Sequence, residues 1–367
     1  MIRVWEYLKE FESERDEIMQ AIVETLESGM LVLGENVSSF ESEFSSYCSS
    51  QYGIGVNSGT DALFLGLKAL GIGAGDEVIT VANTAVPTVS AIQATGATTK
   101  FVDIDPDTYL MDTRLLEAAV TERTKCIIPV HLFGQCVDMS EVKAVAERHS
   151  LFVLEDCAQA HGAKQNNEMS GSMSDISAFS FYPTKILGAY GDAGLIMTSN
   201  SELADKCKRI RFYGMEQQYY AIEDGFNSRL DEMQAAILRK KLVHLDEYIS
   251  RRRAIADMYY DLLDDSGLVL PKVSDNNFHS YFLFVARHKK RDAILEYLKG
   301  EDIMLNVSYK WPIHTMPAYE YLGYKVGDLP NTELAANEIF SLPMFPSLTG
   351  DAVRETCGVL KGALVNC

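Results

Sequence analysis

From Tyr52 onward, short runs rich in β-branched residues alternate with segments whose apolar positions recur every three to four residues. GIGV is followed by DALFLGLKAL, EVITVA by VPTVSAIQA, KFVDI by RLLEAAV, CIIPV by SEVKAVAERH, and LFVLED closes the series. Alternation of the two periods predicts an α/β fold, a mainly parallel sheet covered by helices. Ligands of such sheets collect at the carboxyl ends of the strands. Asp112 before TRLLEAAV and Ser140 before EVKAVA read as helix N-caps. ISAFSFY reads as a further strand, with Phe179 and Phe181 on one face and Ala178, Ser180 and Tyr182 on the other.

Beyond this region SRLDEMQAAILRKKLVHLDEYISRRRAIADMYYDLLDD reads as one long helical stretch bridging two parts of the chain. After it HSYFLFVAR and IMLNVSY read as strands, and RDAILEYLKG, ELAANEIF and AVRETCGVLKGAL as helices. The expected division is a large domain over 1–245, including an N-terminal helical segment, and a smaller C-terminal α/β domain over 246–367. There is no internal repeat and no low-complexity segment.

Length and composition agree with that division, since 367 residues at 47% hydrophobic can bury more than one compact core. The 52 acidic residues outnumber the 33 basic ones, and the formal charge of −19 repels nucleic acid and anionic membrane. No stretch approaches the length of a membrane span, and the opening MIRVWEYLKEFESERDE turns acidic where a secretory signal is apolar. The expected location is the cytoplasm. Seven cysteines, in neither CxxC nor zinc-ligand spacing, are expected to be reduced thiols with no metal role.

Three segments carry chemistry. Val56-Asn57-Ser58-Gly59-Thr60-Asp61 joins a strand end to a helix start, where free N–H groups and the helix dipole suit a phosphate, although a plain N-cap explains the same residues. GIGAGD at 71–76 precedes a strand instead of following one, so it reads as a turn and not as a dinucleotide fingerprint. In LFVLEDCAQAHGA an apolar strand ends in Glu155-Asp156, with Gln159 and His161 just beyond. The third segment, SFYPTKILGAYGDAG, sets Lys185 at the end of the ISAFSFY strand and therefore at the same sheet edge. A phosphate cradle, a carboxylate and a lysine on one edge suit pyridoxal phosphate, whose aldehyde condenses with the lysine while the acid keeps the ring nitrogen protonated.

The chain resembles the DegT/DnrJ/StrS family of nucleotide-sugar aminotransferases, which are fold-type I pyridoxal phosphate enzymes. The resemblance runs nearly end to end through LVLGENVSSFESEF, VNSGTDAL, GDEVITVANT, FVDIDPDTYLMD, PVHLFGQ, EDCAQAHGA, FSFYPTK, GFNSRLDEMQAAIL, WPIHTMPAY and SLPMFPSLT. It implies a large domain with a mostly parallel, seven-stranded type of sheet. It makes Lys185 the residue bonded to the cofactor and the proton-shuttling base, Asp156 the partner of the pyridinium nitrogen, and Gln159 a contact to the phenolic oxygen. Gly59, Thr60 and Ser180 are implied to hold the phosphate, and Asn227 to reach it from a second subunit, which implies a homodimer with shared sites. Tyr182, which precedes the lysine, and Tyr309 and His314, in the segment NVSYKWPIH of the smaller domain, read as substrate contacts, with a structural role the alternative for the histidine. Relatives of this kind usually place an aromatic residue where this chain has Ala85, so another group must cover that side of the ring.

The resemblance further implies glutamate as amino donor, ping-pong kinetics, and a ketosugar on a nucleoside diphosphate as acceptor. Leu187-Gly188-Ala189-Tyr190-Gly191-Asp192-Ala193-Gly194 is similar to the run after the lysine in enzymes that aminate C3, which favours a dTDP-3-keto-6-deoxyhexose; glycines that merely shape a turn are the plainer reading. The substrate is an anion, so local donors such as Arg229 must offset the protein's own charge. A C4 aminotransferase and a non-catalytic, cofactor-binding regulator are the competing readings. A dehydratase of this fold has histidine in place of Lys185, and a nicotinamide dehydrogenase needs a glycine fingerprint that the sequence lacks.

Overall fold

A computed structural model describes all residues, 1–367. Its centre is a seven-stranded sheet of β1 (Tyr52–Val56), β2 (Glu77–Val81), β3 (Thr98–Val102), β4 (Thr124–Ile127), β5 (Phe152–Asp156), β6 (Ile176–Ser180) and β7 (Gly194–Thr198). The spatial order is β1-β7-β6-β5-β4-β2-β3. Strands β6, β5, β4, β2 and β3 run parallel, and β7 alone is antiparallel to both its neighbours, with Gly194 opposite Val56 on one side and Ser180 on the other. All five residues of β7 are buried. A strand covered on both faces shows no alternation, which is why GLIMT carries no period-two signal.

Helices α1 (Leu8–Ser28), α2 (Glu35–Tyr47), α3 (Gly59–Ala69), α4 (Val86–Ala94), α5 (Met139–His149), α6 (Glu232–Leu242) and α7 (Leu245–Leu263) surround this sheet. Helix α2 starts at Gly34, which has no side chain to cap it. The Glu232 carboxylate of α6 does so from a distance, accepting the N–H groups of Gly34, Asn36 and Val37 at 2.7–2.9 Å. Asp112 caps its helical turn as expected, accepting the Arg114 N–H at 3.1 Å. Ser140 does not cap α5. That role falls to Asp138, whose carboxylate accepts from Ser140 N at 3.1 Å and Glu141 N at 3.4 Å, so the serine lies in the first turn.

The long helical stretch is broken at Val243 and His244 into α6 and α7. Likewise ELAANEIF divides, because the helix ends at Glu338 and Ile339–Leu342 forms a strand paired antiparallel with Phe284–Arg287. These elements and the helices Arg291–Gly300 and Gly350–Asn366 enclose an apolar cluster of their own, centred on Tyr259, Phe284 and Phe340. Ile2–Arg3 pairs parallel with Ile303–Met304, and Met344 donates its N–H to Val4 O at 3.0 Å. The first residues are thereby pinned against the C-terminal part, beside the carboxyl edge of the sheet.

Candidate active site

The β1–α3 corner is built by local capping. Ser58 accepts the Asp61 N–H on its side-chain oxygen at 3.2 Å, which leaves the N–H groups of Gly59 and Thr60 to receive an anion. A Cβ at Gly59 would lie 2.6 Å from the Ser180 Cβ, so only glycine lets β6 approach this helix start. The GFNSR segment seals the corner from outside. Ser228 accepts the Asn57 N–H and donates its hydroxyl to Asp61 Oδ2 at 2.6 Å. Asn57 in turn donates its Nδ2 to Asn227 O at 2.9 Å and accepts the Arg229 N–H at 3.0 Å. The side chain of Asn227 is exposed, and the Arg229 guanidinium lies over the rings of Phe212 and Tyr213.

Asp156 ends β5 and is buried. Its Oδ2 accepts the Thr88 hydroxyl at 2.8 Å and its Oδ1 the Ala158 N–H at 3.2 Å. Burial pushes the carboxyl above its usual range, against those two bonds and the charges of Lys185 and His131. Beneath it, buried Glu155 accepts from His131 Nε2, the N–H groups of Gly171 and Met173 and the Ser174 hydroxyl, and this set holds it below the usual carboxylate range despite its burial. His131 donates its main-chain N–H to Asp156 O at 3.0 Å, so the pair is a strut under the site.

Lys185 sits in the loop between β6 and β7, its N–H bonded to Tyr182 O at 2.8 Å. Burial lowers its pKa to about 8, opposed by the attraction of Asp156. Gln159 is fixed at both ends of its amide: Oε1 accepts the Phe133 N–H at 2.9 Å, and Nε2 donates to the Tyr309 hydroxyl. A cavity of about 260 Å³ opens beside the lysine, bounded by Gln159, Tyr309, Phe282, Asn306 and, from the N-terminal segment, Trp5. Buried Arg252 of α7 secures that wall by donating to the carbonyls of Tyr281, Phe282 and Met344. Three larger grooves, of about 940, 770 and 320 Å³, touch neither Lys185 nor Asp156.

The fold therefore brings Gly59, Thr60, Ser180, Asp156, Gln159, Lys185 and Tyr309 to one edge of the sheet. Tyr182 stands at its rim, 51% exposed. His314 is enclosed instead, with Nε2 bonded to Glu333 Oε1 at 3.0 Å, and does not line the cavity. His161 packs among Phe44, Phe179 and Phe181, and burial lowers its pKa to about 3, so its ring is neutral. Sequence reasoning missed Thr88, Trp5 and Phe282. Thr88 follows Thr84 at a one-turn spacing, and Trp5 is one of only two tryptophans, in a short segment ahead of α1; Phe282 has no local signal. Ala85 is half-buried, and its own segment holds no aromatic side chain.

An anion corner, a buried carboxylate and an amine of lowered pKa on one edge fit a phosphorylated pyridine aldehyde. Comparison with known proteins agrees. The DegT/DnrJ/EryC1/StrS aminotransferase family matches residues 12–361. The chain is 52% identical to a Micromonospora megalomicea subsp. nigra protein named dTDP-3-amino-3,4,6-trideoxy-alpha-D-glucose transaminase, over 96% of this chain and 98% of that one. It is also 46% identical to a Geobacillus stearothermophilus protein named pleiotropic regulatory protein, over 93% and 92% of the two chains. The crystal structure of S. venezuelae DesV in complex with a ketimine intermediate superposes with a TM-score of 0.97 at 39% identity, covering 99% of each chain. On this fold and these matches, the chain belongs to the DegT/DnrJ/EryC1/StrS aminotransferase family and is a pyridoxal phosphate-dependent aminotransferase of fold type I.

Proposed function

We propose that the chain transfers an amino group from glutamate to C3 of a 3-keto-6-deoxyhexose carried on dTDP, in a ping-pong cycle with Lys185 as the base in both halves. The observation that carries this reading is the placement of Lys185 and Asp156 at one sheet edge, beside a cavity with room for a sugar. Bound there, pyridoxal phosphate supplies an electrophilic aldehyde and an electron-withdrawing ring that acidifies the α-hydrogen of an amino acid. The N–H groups of Gly59 and Thr60 and the Ser180 hydroxyl hold its phosphate, joined by Asn227 of the partner subunit in a homodimer. Asp156 keeps the ring nitrogen protonated, and Gln159 bonds the phenolic oxygen. Lys185, with its lowered pKa, would carry the proton from the donor's α-carbon to the cofactor's aldehyde carbon in the first half, and from that carbon to C3 of the sugar in the second. Tyr182 and Tyr309 contact the sugar nucleotide.

Support for C3 comes from the name of the Micromonospora relative. The LGAYGDAG run itself argues less, because its glycines answer to packing: a Cβ at Gly188 would meet Pro183 O at 2.6 Å and one at Gly194 would meet Ser58 O at 2.2 Å. All seven cysteines are unpaired, which supports a cytoplasmic site of action; no helix is long and apolar enough to cross a membrane. The deciding experiment incubates cofactor-loaded protein with glutamate and a panel of 3-keto and 4-keto nucleotide sugars and reads the product by mass and NMR. Amination at C3 is expected, and amination at C4 alone would replace this reading. The name of the Geobacillus relative, a pleiotropic regulatory protein, favours a second reading, a regulatory role on the same fold; a visible absorbance band unmoved by glutamate and by every other amino donor tried would support it over turnover.

A further inference from the structure

The acid at the end of β5 is itself held by a chain of hydroxyls from α4 and the bend just before it. Thr88 and Thr84 are both buried, at 1% and 3% exposure, and water does not compete for their bonds. An ionised carboxylate only accepts, so the 2.8 Å contact to Asp156 Oδ2 uses the one proton of the Thr88 hydroxyl. The 3.0 Å contact between the two threonine oxygens then has a single consistent direction, with Thr84 donating to Thr88. Pro87 fixes the first turn of α4, and Thr88 donates its N–H to Ala85 O at 3.1 Å, so both hydroxyls are set by the backbone before any ligand arrives.

We propose that Thr88, oriented by Thr84, is a positioning residue that fixes the rotamer of Asp156 and keeps its carboxylate ionised in a buried place, ready to hold a protonated pyridine nitrogen. The proposal rests on the assignment of Asp156 made under Proposed function. Two protein donors occupy the carboxylate, Thr88 on Oδ2 and Ala158 N–H on Oδ1, which leaves lone pairs on both oxygens for a cationic ligand. Burial alone favours the neutral acid, and a neutral acid cannot stabilise a pyridinium. The other groups that face Asp156 are Lys185 from the β6–β7 loop, His131 from the segment after β4 and Tyr309 from the C-terminal part. None of these is a neutral donor bonded to the carboxylate, so Thr88 is the one side chain that hydrogen-bonds it.

The test compares Thr88→Val, which keeps the shape and deletes the hydroxyl, with Thr88→Ser, which keeps the hydroxyl, and with Thr84→Val. In cofactor-free protein, thermal unfolding is followed at pH 5 and pH 8. Removing the donor raises the native pKa of Asp156 further above its unfolded value, so the loss of stability grows as pH rises and the carboxylate must ionise. Thr88→Val is expected to lose more melting temperature at pH 8 than at pH 5, and Thr88→Ser to match the parent at both. In loaded protein, the turnover of Thr88→Val is expected to fall by about tenfold to a hundredfold, the range of a hydrogen bond to a charged group, with a smaller change in cofactor affinity. Thr88→Ser should recover most of it, and Thr84→Val should show a weaker loss in the same direction. An equal melting loss at both pH values, or a valine variant with parental turnover, would overturn the proposal. Failure of the parent protein to take up pyridoxal phosphate would instead overturn the assignment of Asp156, and the cofactor-free comparison would still decide whether Thr88 supports its charge.

Discussion

The amine nitrogen of Lys185 lies 4.8 Å from the centre of the Phe282 ring. An aromatic face offers a cation some attraction but far less than water does, so the contact accompanies a lysine that gives up its proton easily. With a pKa of about 8, in place of the ordinary value near 10.4, a usable fraction of neutral amine exists at physiological pH. The rate at which cofactor-free protein condenses with an aldehyde and is trapped by borohydride should rise with pH to a midpoint near 8, with label on Lys185 alone. A midpoint near 10 would mean that the amine is fully hydrated.

Asp156→Asn keeps the shape of the side chain and removes its charge. Cofactor occupancy should change little, since the phosphate corner and Lys185 are untouched, whereas turnover should drop by about a hundredfold or more because a neutral amide does not keep the ring nitrogen protonated. Absorbance titration with pyridoxal phosphate and steady-state rates separate the two effects. Turnover equal to that of the parent would refute the role.

Glycines 59 and 194 meet different neighbours, and alanine at each should fail differently. At Gly194 the new Cβ would lie 2.2 Å from Ser58 O, a main-chain atom that cannot turn aside. Overpacking of that kind costs about 1–3 kcal/mol, visible as a lower denaturation midpoint. At Gly59 the Cβ presses on Ser180, so the phosphate cradle distorts first. Gly59→Ala should weaken pyridoxal phosphate about tenfold while leaving the affinity for phosphate-free pyridoxal unchanged, on the ground that only the former uses the helix N-terminus.

Trp5 contributes a wall of the cavity from a segment far from the rest of the site in sequence. Its ring stacks on Tyr7 with centroids 5.4 Å apart, and Tyr7 meets Tyr190 at 5.9 Å, which ties the segment to the loop that follows Lys185. Trp5→Ala should raise KM for the sugar nucleotide about tenfold, a loss within the range of one large buried contact, with kcat and the visible absorbance band nearly unchanged. An equal rise in KM for glutamate would show general loosening instead of a sugar contact.

The sheet and the reactive edge were legible because β-rich runs and helical periods alternate, and because strand ends carry Ser58, Asp156 and Lys185 in plain sight. Strand β7 was not legible: GLIMT is covered on both faces and shows no alternation. Val243–His244 gave no warning of a helix break, since neither residue is a strong breaker. The capping role of Asp138 was missed by two residues, the usual scale of error at a helix end. Thr88 and Phe282 were invisible for another reason. Their roles depend on what faces them across the fold, and spacing along the chain does not encode that.

Strand β7 reverses direction between Ser180 and Gly194, and those two residues face each other across the sheet. A parallel continuation would have to run back to the opposite end of the sheet, commonly as a helix laid on its face, and such a crossover would carry the lysine away from the edge. The U-turn returns to the edge it left and keeps the amine there, between two paired strands. Lengthening that turn by even one residue would slide the amine relative to the phosphate corner, so the spacing from Ser180 to Gly194 acts as the ruler of the site.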